Sequence, residues 1–147
     1  MTAAPNFGTN VKQAVPFLGV NCMEDSLRFY VDGLGFAMKK SWIPDKAEDH
    51  PDGRIRWCWL QLGDAAIMLQ EFLPQHRPDV ALGMGTSTCF MCEDALALYR
   101  EFKSKGLRVQ RPFVGNGLWV VSVTDPNGYR IDFESPTDAL EESKLEE

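Results

Sequence analysis

Residues 125–136 read DPNGYRIDFESP, and the fold turns on this stretch. Asp125-Pro126-Asn127-Gly128 reads as a turn: proline presets φ at the first central position, and Asn-Gly accepts the positive φ that follows. Tyr129, Ile131 and Phe133 then alternate with Arg130, Asp132 and Glu134. A period of two is a strand with one apolar face. The other face carries a cation and two carboxylates. Asp132 is therefore a candidate metal ligand, a candidate contact for an organic ligand, or part of a solvated face.

Upstream, the chain repeats itself. Glu24, Asp25, Leu27 and Tyr30 of EDSLRFY recur as Glu93, Asp94, Leu96 and Tyr99 of EDALALY, displaced by 69 residues. In each half, apolar residues at helical spacing follow an aspartate placed to cap a helix (Asp25, Asp94), and a glycine (Gly35, Gly106) is placed to stop it. A short strand precedes each helix, AVPFLGV and STCFMC, and a strand–turn–strand unit follows: RWCWLQLGDAAIMLQEF in the first half, LWVVSVTDPNGYRIDFES in the second. Each half reads as strand, helix, strand, strand, strand. The expected organisation is a single α+β domain over residues 1–147, with modules at about 13–73 and 85–137 and peripheral segments at 1–12 and 138–147. LPQHRPDVALGMG links the halves, and the acidic tail TDALEESKLEE reads as a short helix or a frayed end.

Composition excludes several classes. The 147 residues carry a net charge of −6, with no clustered Lys/Arg among aromatics, which argues against nucleic acid and anionic membrane as partners. No apolar run approaches the ~18 residues that span a bilayer, and MTAAPNFGTNVKQ lacks the apolar core of a secretory signal. The expectation is a cytoplasmic protein whose four cysteines are reduced. CFMC lies in a strand rather than at a helix N-terminus, so Cys89 and Cys92 read as two small buried residues rather than a redox pair. ALGMGTS lacks the Gly-Lys-Ser/Thr ending of a phosphate loop.

EDSLRFYVDGLGF, its paired copy and the closing DPNGYRIDFESP resemble the vicinal oxygen chelate superfamily of glyoxalases, bleomycin resistance proteins and extradiol dioxygenases. The resemblance spans residues ~13–137 and implies two paired βαβββ modules that form a U-shaped cavity. In metal-dependent members four cavity strands each supply one ligand. By the resemblance those positions fall here on Val15 (or Phe17, one pleat along), Met68, Ser87 and Asp132. Valine, methionine and serine are poor ligands for a hard or borderline cation. His50 and His76 lie in polar loop and linker sequence, so the usual metal site is expected to be absent and no cofactor is implied.

Strand alternation then selects the cavity lining. If Asp132 faces inward, so do Arg130 and Glu134. Val15, Phe17 and Gly19 share the inner face of the first strand, and Ser87, Cys89 and Met91 that of its counterpart. Leu60 and Leu62 suit the core, which leaves Trp57, Trp59 and Gln61 inside; Trp119 is ambiguous. Expected ligand contacts are thus Phe17, Trp57, Trp59, Gln61, Met91, Arg130, Asp132 and Glu134, with no catalytic residue. An aromatic wall with carboxylates at one end suits a small aromatic or cationic molecule. The bleomycin-resistance branch of the superfamily is similar: it lacks the metal ligands and sequesters a drug between two chains. The resulting expectation is a homodimeric, non-catalytic binding protein. The alternatives are a metal-dependent lyase or dioxygenase using Asp132 and Glu71 with His50 or His76, and a protein-interaction module with no small-molecule site.

Overall fold

A computed structural model describes residues 6–44 and 53–147. After a capped helical turn α1 (Phe7–Asn10), the first module runs β1 (Phe17–Val20), α2 (Met23–Leu27), a wider π-type segment (Arg28–Gly33), β2 (Ala37–Trp42), β3 (Trp57–Leu62) and β4 (Ala65–Glu71). A 3-10 turn (Pro74–His76) lies in the linker. The second module runs β5 (Ser87–Met91), α3 (Ala95–Ser104), β6 (Phe113–Gly115), β7 (Leu118–Thr124) and β8 (Arg130–Pro136). The sheets have the orders β1-β4-β3-β2 and β5-β8-β7-β6, so the repeat in sequence is a repeat in topology. In each module the first and last strands pair in parallel, and the other pairs are antiparallel. The fold is α+β, two paired βαβββ modules.

Alternation assigns the faces as expected. Cys58 and Leu60 of β3, Ile67 and Leu69 of β4, Val121 and Val123 of β7, and Ile131 and Phe133 of β8 are buried in one core with the helices. Trp119 packs against that same core, which settles its side. The core is continuous between modules through aromatic rings: Tyr30–Phe36, Phe36–Phe90, Phe90–Phe133 and Phe133–Phe102 have centroids 6.1, 5.5, 5.6 and 5.2 Å apart. Each sheet therefore turns its helix-bearing face to a shared core and keeps one face open.

The helix ends depart in part from expectation. Asp94 caps α3, accepting from the Ala97 N–H at 3.0 Å. Asp25 is not a cap: Cys22 holds that position, and Asp25 lies in the first turn, paired with Arg28. The free Met23 N–H is instead taken by the Glu71 carboxylate at 2.7 Å, arriving from β4. The second module repeats the arrangement, with the Ser135 hydroxyl accepting from the Ala95 N–H at 2.9 Å. A distant strand can do what a local aspartate normally does, which the local pattern does not reveal. Gly35 and Gly106 end the helices at φ of 91° and 83°, as their placement suggested.

Two further expectations are corrected. The acidic tail is neither helical nor frayed: the Leu145 N–H donates to Pro112 O and the Glu142 N–H to Val114 O, both at 2.9 Å, and Leu145 packs on the core. The tail covers the edge of β6, a common use for a segment beside an unpaired strand. Cys89 and Cys92 are not both buried. Cys89 is exposed, because its register puts it on the open face, and Cys92 is half-buried beyond the strand end.

The DPNG turn does more than reverse the chain. Buried Asp125 accepts from the Asn127 and Tyr129 N–H groups at 2.9 and 2.8 Å and from the Tyr30 hydroxyl at 2.8 Å. Asn127 Oδ1 accepts from the Asn21 N–H at 2.9 Å, and the Tyr129 hydroxyl donates to Gly19 O at 2.9 Å. Burial and then the Asp125 charge push the Tyr30 hydroxyl far above the ordinary phenol range, so it stays a donor. Asp125→Ala is expected to cost about 2–4 kcal/mol, since it leaves buried donors unpaired. Tyr30→Phe should cost about 1–2 kcal/mol. Urea unfolding of both single variants and the double variant should show coupling between them; strictly additive losses would dissociate the pair.

Candidate functional site

The open face of the first sheet is built of two rungs that cross all four strands. One is Phe17–Met68–Trp59–Lys40 and the other is Gly19–Gln70–Trp57–Trp42. Phe17 and Trp42 are 55% and 52% exposed, so two of the four aromatic side chains at this face remain largely uncovered. Gln61 lies on the same face. Its Oε1 accepts from the Trp59 indole at 3.3 Å and its amide donates to Gly63 O at 3.2 Å, which fixes the Trp59 ring. Lys40 Nζ lies 5.6 Å from the Trp59 ring centroid. A Cβ at Gly19 would fall 2.0 Å from the Phe72 ring, so any larger residue there would displace that ring.

Two clefts flank Gln70 at the rim of this face. One, about 340 Å³, is lined by Phe17, Gly19, Phe72, Leu73 and His76; the other, about 300 Å³, by Trp42, Pro44, Arg56 and Leu73. Trp42 was missed at the sequence level. The signal lay in AMKKSW, but a bulge between Met38 and Lys40 changes the alternation there.

The open face of the second sheet differs in chemistry. Ser87, Cys89 and Met91 stand beside Arg130, Asp132 and Glu134, in that register. Asp132 is only 3% exposed. It accepts from Arg130 Nε at 2.9 and 3.1 Å and from the Ser122 hydroxyl. Donor atoms of Cys89, Asp132 and Glu134 lie within 4.8 Å of one another. The expected contacts thus form two groups. Phe17, Trp57, Trp59 and Gln61 sit on one sheet, and Met91, Arg130, Asp132 and Glu134 on the other. Neither rim cleft includes a residue of the second group.

The comparisons with known proteins agree with this architecture. The family model described as the glyoxalase/bleomycin resistance protein/dioxygenase superfamily matches residues 12–133. The chain belongs to that superfamily. Among solved structures, a bleomycin-binding protein complexed with bleomycin is similar at 23% identity with a TM-score of 0.63, covering 86% of this chain and 100% of that one. TnmS3, an antibiotic binding protein from Streptomyces sp. CB03234, is 20% identical with a TM-score of 0.62, covering 86% and 98%. TioX from Micromonospora sp. ML1 is 17% identical with a TM-score of 0.60, covering 86% and 100%. No curated protein sequence matches significantly. Among the described residues, no helix is long and apolar enough to cross a membrane.

The positions that the superfamily resemblance assigns to a metal hold a single carboxylate. Val15 precedes β1, Phe17 is the register partner of Met68, and only Asp132 among the four carries a charge. Apolar, thioether and hydroxyl groups do not replace imidazole and carboxylate around Zn²⁺, Ni²⁺ or Fe²⁺.

In the alternative set, Glu71 is already engaged by other side chains. Glu71 belongs to the helix side of β4, where Arg54 donates to its two oxygens at 2.8 Å each and Arg56 donates at 2.6 Å. His76 is exposed, and His50 lies outside the described residues. Burial opposes ionisation of Glu71. The hydrogen bonds from Arg54 and the Met23 N–H, with the charges of Arg54 and Arg56, outweigh it and hold the carboxyl below the usual range. A lowered folded-state pKa contributes stability above the unfolded value of about 4.3, lost as pH falls through the folded value. Thermal melts should therefore fall below about pH 4.3, more shallowly in Glu71→Gln. That variant should also lose about 2 kcal/mol at neutral pH. An unchanged acid limb in Glu71→Gln would remove Glu71 as its source.

Proposed function

We propose that this chain binds a small aromatic molecule stoichiometrically, without chemistry, by stacking it on the open face of the first sheet. The observation that carries this reading is the adjacency of Trp42, Trp57 and Trp59, with Phe17 and Met68 completing the rungs. Flat π-faces beside flexible thioether and amide groups suit a planar guest. Superfamily membership and likeness to structures described as bleomycin-binding and antibiotic binding support it.

We also propose a homodimer. Large apolar groups stand open on both sheets, Phe17 and Trp42 on the first and Met91, 62% exposed, on the second. Two copies could set the aromatic face of one chain against the carboxylate face of the other and complete a U-shaped cavity. In that arrangement Arg130, Asp132 and Glu134 would border the cavity from the far side, with Asp132 already engaged by Arg130.

A second reading is favoured by the proximity of Cys89, Asp132 and Glu134: a divalent cation held there, with lyase or dioxygenase chemistry. Arg130 competes with it, since its guanidinium already occupies Asp132.

Three measurements separate the readings. Trp57→Ala and Trp59→Ala should each weaken binding of an aromatic ligand found by thermal-shift screening about five- to ten-fold, the scale of one aromatic contact. A broad aromatic library that neither shifts the melt nor quenches tryptophan would favour a protein-interaction module. Light scattering at micromolar concentration should return twice the chain mass; a monomer with and without ligand would remove the dimer. Metal content after incubation with Zn²⁺, Ni²⁺, Mn²⁺ or Fe²⁺ and desalting should be negligible. Near-stoichiometric retention that is lost in Asp132→Ala would replace the binding-protein reading with the metalloenzyme.

A further inference from the structure

We infer that Lys40 sets the charge selectivity of the aromatic face, so that it takes aromatic molecules bearing an anionic group in preference to cationic ones. The inference rests on the stacking reading above and adds the charge of the guest. Its basis is the bulge in β2. Ala37 pairs with Gln61 and Met38 with Leu60, and the register then slips by one, so that Lys40 pairs with Trp59, Ser41 with Cys58 and Trp42 with Trp57. In an unbroken register Lys39 would oppose Trp59, and Lys40 would oppose Cys58 on the helix side. Ser41, not Trp42, would oppose Trp57. The bulge thus gives the place opposite Trp59 to Lys40 and sets Trp42, in place of Ser41, opposite Trp57 on the open face. Re-aiming side chains beside a site is a recurrent use of bulges.

The local charges agree. Of the eight residues in the two rungs, Lys40 alone is charged, and it already lies over the Trp59 ring at 5.6 Å. A cationic guest on that ring must displace Lys40 or sit beside a like charge. An anionic guest can stack and pair with it. The nearest buried carboxylate at the rim, Glu71, is held by Arg54 and Arg56 on the helix side. Asp132 and Glu134, which suggested a cationic guest from sequence, stand on the other sheet, where Asp132 is engaged by Arg130 and Ser122.

The test uses three guests of one shape: 2-naphthalenesulfonate, 2-naphthol and trimethyl(2-naphthyl)ammonium, titrated against the whole chain by calorimetry and tryptophan quenching. The sulfonate is expected to bind about ten-fold tighter than the ammonium compound, the scale of reversing one exposed charge contact at short range. In Lys40→Met, at an exposed edge position, the gap should close while naphthol binding is retained. Equal or tighter binding of the ammonium compound, or a preference unchanged in Lys40→Met, would overturn the role of Lys40 and leave the stacking site standing. Binding of none of the three would overturn both.

Discussion

A single buried carboxylate holds the two modules in their relative positions. Asp125 ties down its own turn through two backbone N–H groups, and the Tyr30 hydroxyl, carried by the helical segment of the other module, reaches it across the boundary. A buried charge without partners would be costly, so this geometry is specified as a unit: turn, tyrosine and carboxylate stand or fall together. Asn127 and Tyr129 add bonds to the backbone of β1 and the residue after it, and Asn127 also donates to the Ser26 hydroxyl in α2, so that one short motif reads the entry of the first module at three points. The aromatic chain from Tyr30 to Phe102 then fills the space that this clasp defines. Because helices and rings occupy the shared side of both sheets, the opposite faces are left open.

The repeat keeps its architecture and varies its chemistry. Residue 71 and residue 135 occupy matching places on the last strand of each module, and each caps the helix beside it, one as glutamate and one as serine. The glutamate brings two arginines with it and places charge near the clefts at the rim of the first sheet. The serine does its work neutrally. A similar divergence separates the open faces: tryptophans, a methionine and a lysine on one, a thiol, two carboxylates and an arginine on the other. The shared topology therefore says little about the guest, and the residues on the faces say a good deal.

The sequence was legible where period and repetition speak directly. Ile131 and Phe133 alternate against Asp132 and Glu134, and the structure divides them between core and open face accordingly. The recurrence of EDSLRFY as EDALALY foretold two modules of one topology. What escaped was long-range or irregular. Nothing local says that Asp25 leaves its capping task to Glu71, because the partner lies 48 residues away. Asp125 reads as an ordinary turn aspartate until Tyr30, 95 residues distant, is placed against it. Trp42 was invisible to alternation because the bulge shifts the phase within its own strand. Cys89 was misjudged because the general tendency of cysteine to be buried gave way to its register on an open face.

The misreading of Trp42 has a cause that bears on function. Period-two reasoning assumes an unbroken ladder, and it fails where the ladder carries an extra residue. In β2 the extra residue falls on the exposed edge strand, where no core contact constrains register, so the sheet can tolerate a phase change that a central strand would not. The same strand loses its apolar alternation, with every residue exposed. An edge free of packing duty is the part of this module in which side chains can be re-aimed at little cost to the fold. Trp42 and Lys40 are placed there, whereas Trp57 and Trp59 stand on a central strand whose other face holds the buried Cys58 and Leu60. In the proposed stacking site the fixed tryptophans are the surface for the guest, and the adjustable edge is its border and its charge.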